Sequence, residues 1–136
     1  ANNGGGRHGQ QFTFPAVGAS AGSYIWVAAE ATEFANFFGF SPDYISGIML
    51  INGDDAVELF GAGQVIDTFG DINVDGTNQP WDYLDSFVKR KDGVAPNGGS
   101  FAVPQFSYGG PNLLDNKTSA SEAGPTTGSW SNCSQQ

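Results

Sequence analysis

Residues 56–69 restrict the fold of this chain more than any other segment, because they contain two strand-like runs joined by a short connection. Residues 56–60 and residues 65–69 are rich in β-branched, aliphatic and aromatic side chains, and the glycine-rich residues 61–63 lie between them. Runs of this kind, separated by a few turn-forming residues, predict a β-hairpin. A further turn is predicted immediately before the hairpin, at Asn52-Gly53-Asp54-Asp55.

Other strand-like runs are distributed along the chain. They are predicted at residues 11–15, 23–28, 86–91, 101–103 and 106–108. The composition agrees, because 20 glycines, 11 phenylalanines and a charged fraction of only 14% suit short strands with tight turns rather than a disordered chain. The expected fold class is therefore all-β.

One short helix interrupts this pattern at residues 32–38. Thr32 is placed to cap it, Glu33 would lie in its first turn, and Gly39 provides a left-handed stop. Three aromatic residues fall at helical spacing, namely Phe34, Phe37 and Phe38. We interpret them as the apolar face of a helix that covers one end of the β-structure; an aromatic ligand site is the alternative.

The charge balance limits the partners that the chain can bind. It carries 14 acidic and 5 basic residues, for a net charge of -9, so a nucleic acid duplex would be repelled. The basic cluster at residues 89–91 is interpreted as an exposed strand end that blunts edge pairing. No apolar run approaches the roughly 20 residues of a membrane span. We expect no direct nucleic-acid binding and no membrane span, whereas the acidic surface favours cations.

An acidic loop at residues 71–82 has the spacing of a calcium-binding loop. Asp71, Asn73 and Asp75 stand at positions one, three and five, and Asp82 at position twelve. Gly76 at position six would permit the sharp bend that such a loop needs. Because Pro80 lies inside the loop and flanking helices are not predicted, an Asx-rich turn, whose side chains accept hydrogen bonds from their own backbone, is the alternative.

The sequence does not predict a catalytic centre. His8 is the only histidine and lies in a glycine-rich segment predicted to be a flexible loop, whereas Cys133 is the only cysteine and has no basic neighbour that would lower its pKa. An internal disulfide is excluded, as is a structural zinc site. A metal-dependent hydrolase is kept as the least favoured hypothesis, and it would act through Asp54, Asp55, Asp71 and Asp75.

Several motifs together resemble a known family. They comprise residues 37–44, 52–59, 65–71, 81–85, 90–93 and 108–115, in this order. In sequence and spacing they resemble a lamin-tail domain of the bacterial, secreted type, which accompanies extracellular nucleases of the endonuclease/exonuclease/phosphatase class and other surface proteins. The resemblance covers roughly residues 2–118. It implies an immunoglobulin-like β-sandwich over residues 1–118. The residues beyond it, 119–136, are polar in composition and are predicted to form a C-terminal tail, in which Trp130 would be a late anchor.

The resemblance also implies a role and a partner. Lamin-tail domains are accessory and non-catalytic, and they open with a strand that precedes the loop at which this sequence begins. We therefore expect an incomplete N-terminal edge that a neighbouring protein fills by strand addition. The expected contact residues are Phe12, Phe14 and Trp81, the last as an exposed side chain. Two sequons, at Asn116 and Asn132, are glycan acceptors if the chain is secreted by a eukaryotic cell.

The sequence therefore favours a non-catalytic extracellular or cell-surface module that binds or assembles with a protein and is stabilised by calcium. The principal alternative is a structural subunit of a larger complex or filament, completed by strand pairing.

Overall fold

The computed structural model describes residues 3–123, whose contacts divide the chain into two compact units. Of the described residues, unit 1 comprises 3–10 and 51–115, and unit 2 comprises 11–50 and 116–123. The strands are β1 (Val27–Ala28), β2 (Tyr44–Ile45), β3 (Val57–Gly61), β4 (Gln64–Phe69), β5 (Val88–Arg90) and β6 (Phe106–Tyr108). One α-helix, α1 (Thr32–Phe38), and three short 3₁₀ helices, at Gly47–Met49, Val103–Gln105 and Ala120–Ala123, accompany them.

The predicted hairpin forms the centre of unit 1. Strands β3 and β4 pair antiparallel, with Val57 opposite Phe69 and Gly61 opposite Gln64. The two connecting residues, Ala62 and Gly63, have φ values of 49° and 77°, as a type I′ turn requires. The register shifts between Leu59 and Phe60, which marks a β-bulge. The hairpin prediction is confirmed.

The second sheet of unit 1 confirms the predicted strands around residues 88 and 107. Strands β5 and β6 pair antiparallel, with Val88 opposite Tyr108 and Arg90 opposite Phe106. Arg90 forms an ion pair with Asp67 of β4, and its guanidinium lies 4.5 Å from the centre of the Phe106 ring. The basic cluster at residues 89–91 is therefore only partly an exposed strand end, because Arg90 fastens β5 to the hairpin.

An aromatic core joins the two sheets of unit 1. The Phe69 ring lies 5.2 Å from both Tyr83 and Phe106 and 5.9 Å from Trp81, in edge-on geometry. Trp81 is only 4% exposed, so the prediction that it presents an exposed contact is wrong. The reason is that Gly70 and Gly76 leave room for the indole, since a Cβ at either position would lie within 2.9 Å of its ring atoms.

Two tyrosines of this core lead us to predict a loss of stability at alkaline pH. Burial raises the pKa of Tyr108 to about 12, and burial together with the carboxylates of Asp55, Asp54 and Asp82 raises the pKa of Tyr83. A tyrosine in the unfolded chain ionises near pH 10, so above about pH 10 the folded state holds more protons than the unfolded state. The stabilisation is complete below that pH and is lost as the pH rises through the folded pKa values.

We expect the melting temperature to fall as the pH rises from about 10 towards 12 and the fall to be smaller in Tyr108→Phe. The hydroxyl of Tyr108 is buried and has no hydrogen-bond partner among residues 3–123, so this variant removes the phenol without breaking a hydrogen bond. Thermal melts across this range, together with the absorbance of tyrosinate, measure the effect. An equal fall in wild type and variant would contradict the assignment to Tyr108.

Unit 2 contains a minimal sheet and the predicted helix. Strands β1 and β2 pair in parallel, with Val27 opposite Tyr44. Gly39 ends α1 in the left-handed conformation, as predicted. The N-terminal cap differs from the prediction, because Thr32 is inside the helix and the Glu30 carboxylate accepts the backbone N–H groups of Thr32, Glu33 and Phe34. The two carboxylate oxygens of Glu30, one residue before the N-cap, can accept all three of these N–H groups, whereas a single threonine hydroxyl could not.

Aromatic contacts replace one of the predicted strands and most of another. Residues 11–15 do not form a strand; Phe12 and Phe14 pack edge to face 5.1 Å apart and both lie against Tyr44. Of residues 23–28, only the last two pair, while Trp26 lies among the rings of Phe34, Phe38 and Phe40.

Taken by class, the described part of the chain is mainly β, with three two-stranded sheets and one short α-helix. The immunoglobulin-like sandwich and the division at residue 118 stay predictions. Trp130, Asn132 and Cys133 lie outside the described residues. Over residues 3–123, every helix is too short or too polar to cross a membrane.

Candidate functional site

The acidic loop is held by hydrogen bonds from its carboxylates to its own backbone. Asp71 Oδ1 accepts the N–H of Asn73 at 2.9 Å, and Asp75 Oδ1 accepts the N–H of Thr77 at 2.9 Å. The Thr77 hydroxyl lies 2.6 Å from the same oxygen of Asp75. These hydrogen bonds from Thr77 favour the charged carboxylate and lower the pKa of Asp75. The first half of the loop thus consists of two consecutive Asx turns.

Asp82 has the corresponding role at the end of the loop. Its two carboxylate oxygens accept the N–H groups of Asn78 and Leu84, each at 2.9 Å. Asn78 has a φ of 60°, a left-handed conformation that asparagine tolerates better than most residues. Asp82 therefore fixes the backbone on both of its sides.

The turn before the hairpin lies directly against this loop. Asp54 accepts from the Thr77 hydroxyl through Oδ2 at 2.9 Å, and its backbone carbonyl accepts the N–H of Gly76. The Thr77 hydroxyl carries one proton and faces two carboxylates, so it can donate to only one of them at a time. Asp54 Oδ1 is buried and has no hydrogen-bond partner among residues 3–123.

Asp55 is the most deeply buried charged residue of the described chain, at 2% exposure. Its carboxylate accepts the backbone N–H of Asn3 at 3.1 Å and that of Asn52 at 3.4 Å. Asp54 and Asp55 therefore differ in role, since one faces the loop and the other fastens the N-terminal residues to the turn. The hydrolase hypothesis would require both beside Asp71 and Asp75.

The structure does not assemble these acids into a preformed metal site. Within residues 3–123, no group of three or more histidine, cysteine, aspartate or glutamate side chains is placed to hold a metal ion. Each loop carboxylate nevertheless keeps further lone pairs, because an ionised carboxylate offers about four acceptor sites. Calcium binding at Asp71, Asn73, Asp75 and Asp82 stays a prediction, and it requires the loop to close around the ion.

A calcium titration tests this prediction. A cation that binds only the folded state raises the melting temperature, and at about 100 times its dissociation constant it adds about 2.7 kcal/mol to the free energy of unfolding. We expect the rise with calcium to exceed that with magnesium and to disappear in Asp75→Asn. Asp115→Asn, an exposed acid outside the loop, is the matched control. The same melting temperature with and without millimolar calcium would contradict a calcium site.

The N-terminal residues are part of unit 1, although the sequence predicted a flexible loop there. Gly6 donates its N–H to the carbonyl of Ile72 at 2.8 Å, and the Arg7 guanidinium binds the Glu58 carboxylate at 2.7 to 3.1 Å. Gly4 has a φ of 72° and passes so close to the loop that a Cβ would lie 2.6 Å from Asp75 N. In the sequence, the one sign that this segment is anchored is the charged Arg7 next to three glycines, but no local pattern identifies Glu58 as its partner.

Two exposed apolar residues lie on the same side of β3. Val57 and Leu59 are 38% and 47% exposed and alternate with the less exposed Glu58. The opposite strand β4 contributes the exposed Ile66. The predicted contacts Phe12 and Phe14 belong to unit 2, whereas the buried Trp81 belongs to unit 1.

Comparison of the chain with protein-family models, with curated proteins and with solved structures finds no match. The resemblance to lamin-tail domains therefore depends on the sequence motifs alone.

Proposed function

We propose that this chain is a non-catalytic extracellular module that binds a partner protein by strand addition at the outer edge of β3. The observation that carries the proposal is the asymmetry of the hairpin. Among residues 3–123, β3 pairs with β4 and with no other strand. An unpaired strand edge presents backbone N–H and C=O groups in the spacing that an extended segment matches.

The outer edge of β4 is already hydrogen-bonded to another segment of the chain, which supports the choice of β3. The Asn97 side chain donates to the Thr68 carbonyl at 2.7 Å and accepts the Thr68 N–H at 3.0 Å. The N–H of Gly98 donates to the carbonyl of Ile66. Hence residues 97 and 98 cover one edge of the hairpin, and the other edge is the one suited to a partner.

The side chains of β3 indicate what kind of segment would bind. Val57 and Leu59 provide apolar contacts at alternate positions, and Glu58 between them is neutralised by Arg7. With a net charge of -9, the chain favours a partner segment that is neutral or basic and has its own alternating apolar residues. Such a strand would extend the β-structure towards the immunoglobulin-like sandwich that the lamin-tail resemblance implies.

A structural subunit is the second candidate function, and the same edge favours it if the partner is another copy of this chain. Two β3 strands can pair about a twofold axis, and each would then cover the apolar side chains of the other. Repulsion between two chains of net charge -9 opposes this arrangement at low salt. We therefore place the heterologous partner first.

Lysine substitutions on the edge test the proposal. We expect a tagged chain, purified from cells that produce it, to retain a protein partner, and the double variant Val57→Lys with Leu59→Lys to lose it. The lysines add charge to an edge that must be desolvated, which is how natural proteins block edge pairing. Leu84→Lys changes an exposed apolar residue outside the strands and is the matched control.

Retention of the partner by the double variant, or its loss from the Leu84→Lys control as well, would contradict strand addition at β3. Sedimentation velocity of the purified wild type separates the two candidates, since only the structural subunit associates with itself.

A further inference from the structure

A cavity of about 290 Å³ lies in unit 1, beside the hairpin and the start of the acidic loop. The lining residues that could contact a ligand through side chains are Arg7, Glu58, Thr68, Asp71, Ser100 and Phe101. The volume is just below the range for small-molecule sites, which begins at about 300 Å³. A single small ring fits this size better than an extended chain.

Two facing residues of the hairpin form one wall of the cavity. Glu58 and Thr68 are directly opposite in the β3–β4 register, so both side chains project from the same face. The Glu58 side chain is 8% exposed, and Arg7 holds it in a two-point ion pair. The guanidinium fixes the orientation of the carboxylate and cancels its charge, while the carboxylate can still accept from a ligand hydroxyl.

Thr68 is the least expected residue of this wall. It is 4% exposed, and its hydroxyl has no hydrogen-bond partner among residues 3–123. The backbone of Thr68 is fixed, because the Asn97 side chain accepts its N–H and donates to its carbonyl. A buried hydroxyl without a partner is unfavourable, and such groups in folded proteins call for an explanation. A ligand that donates to or accepts from this hydroxyl provides one.

The remaining lining residues add both polar and apolar contacts. Asp71 uses Oδ1 for the N–H of Asn73, which leaves its second oxygen for a ligand. Ser100 contributes an exposed hydroxyl. Phe101 contributes a ring that is held in place by edge-on contacts with Phe69 at 5.6 Å and Trp81 at 6.0 Å. One rigid aromatic ring therefore stands beside several hydrogen-bonding groups.

We propose that this cavity binds one neutral sugar ring. A sugar combines an apolar C–H face, which suits Phe101, with hydroxyls that suit Glu58, Thr68 and Ser100. An anion is disfavoured, because Asp71 forms no ion pair within residues 3–123 and the net charge of the chain is -9. Sugar binding in the cavity and strand addition at β3 are independent proposals, since experiments can contradict either one and leave the other standing.

Titration with simple methyl glycosides tests the proposal. The probes are the methyl glycosides of glucose, galactose, mannose and N-acetylglucosamine, followed by saturation-transfer NMR and by calorimetry. We expect the full chain to bind at least one of them with a dissociation constant in the millimolar range, about 1 mM for a site of this size. Glu33→Gln, which alters an exposed acid that does not line the cavity, should bind equally well.

Thr68→Val distinguishes a ligand site from a structural role. Valine has nearly the same shape and removes a hydroxyl that has no partner, so we expect an unchanged or higher melting temperature. The affinity for the sugar should nevertheless fall by about fivefold or more, because the hydrogen bond to the hydroxyl is lost. Ser100→Ala, on an exposed residue, gives the same test if Thr68→Val does not fold.

Three results would overturn the proposal. They are the absence of binding by every glycoside at about 20 mM, equal affinity in the wild type and both variants, and displacement of the sugar by inorganic phosphate.

Discussion

Gly53→Ala will lower the free energy of unfolding by about 3 kcal/mol or more, through backbone strain and steric overlap together. Gly53 has a φ of 100°, which an L-residue with a side chain rarely adopts. A Cβ at this position would lie 2.3 Å from Leu84 Cα and 2.4 Å from Leu84 N. The Gly53 carbonyl also accepts the N–H of Tyr83 at 2.8 Å, so the two segments cannot separate without losing that hydrogen bond.

Gly93→Ala is the matched control for this prediction. Gly93 has a φ of 75°, but a Cβ there would meet no atom within 4 Å. It therefore isolates the conformational part of the effect, which we expect to be about 1 kcal/mol. Urea denaturation of both variants measures the difference. Equal destabilisation by the two substitutions would show that residues 53 and 84 do not approach each other as described.

Trp81→Ala is expected to lose about 3–5 kcal/mol, the range for removal of a large aromatic side chain from a core. The indole is buried against Phe69 and Phe101. Gly70 and Gly76, which also lie against it, have no side chains that could fill the space. The loss should be accompanied by loosening of the acidic loop, because Gly76 contacts both Trp81 and the Asp54 carbonyl.

Leu84→Ala is the control, since Leu84 is an exposed apolar residue near Trp81 in the sequence. We expect it to change stability by no more than about 0.5 kcal/mol. Thermal unfolding followed by near-ultraviolet circular dichroism reports both the stability and the packing of the indole. If Trp81→Ala kept its stability and lost a binding activity instead, Trp81 would be an exposed contact after all.

Sequence patterns predicted the elements of this fold that depend on neighbours along the chain. The hairpin is one case, because residues 62 and 63 provide the positive φ values of its turn and the flanking runs provide the strands. Gly39 is another, since the end of a helix needs only one left-handed residue. The Asx turns of Asp71 and Asp75 also reach only two residues ahead, which is why the spacing indicated them.

Features that depend on distant contacts were not predictable in this way. Arg7 and Glu58 are 51 residues apart in sequence, and no local pattern relates them. Trp81 was expected to be exposed because its neighbours are polar, yet its burial depends on glycines at positions 70 and 76. The alternation at residues 11–15 indicated a strand, but Phe12 and Phe14 instead pack with Tyr44.

The candidate sites divide in the same manner. The acidic loop is contiguous and was identified from its spacing, whereas the sugar cavity combines residues from four separate segments, at positions 7, 58, 68–72 and 99–101. The β3 edge is intermediate, since its strand was predicted but the coverage of β4 by Asn97 was not.

The most direct test of strand addition is site-specific photocrosslinking from the β3 edge. A benzophenone side chain would replace Leu59 in one variant and Leu84 in a control, and each chain would be irradiated in the medium of cells that produce it. We predict one discrete adduct from position 59, mapped by mass spectrometry to an extended segment of a partner protein, and none from position 84. No adduct from position 59, or the same adducts from both positions, would contradict a partner strand on β3.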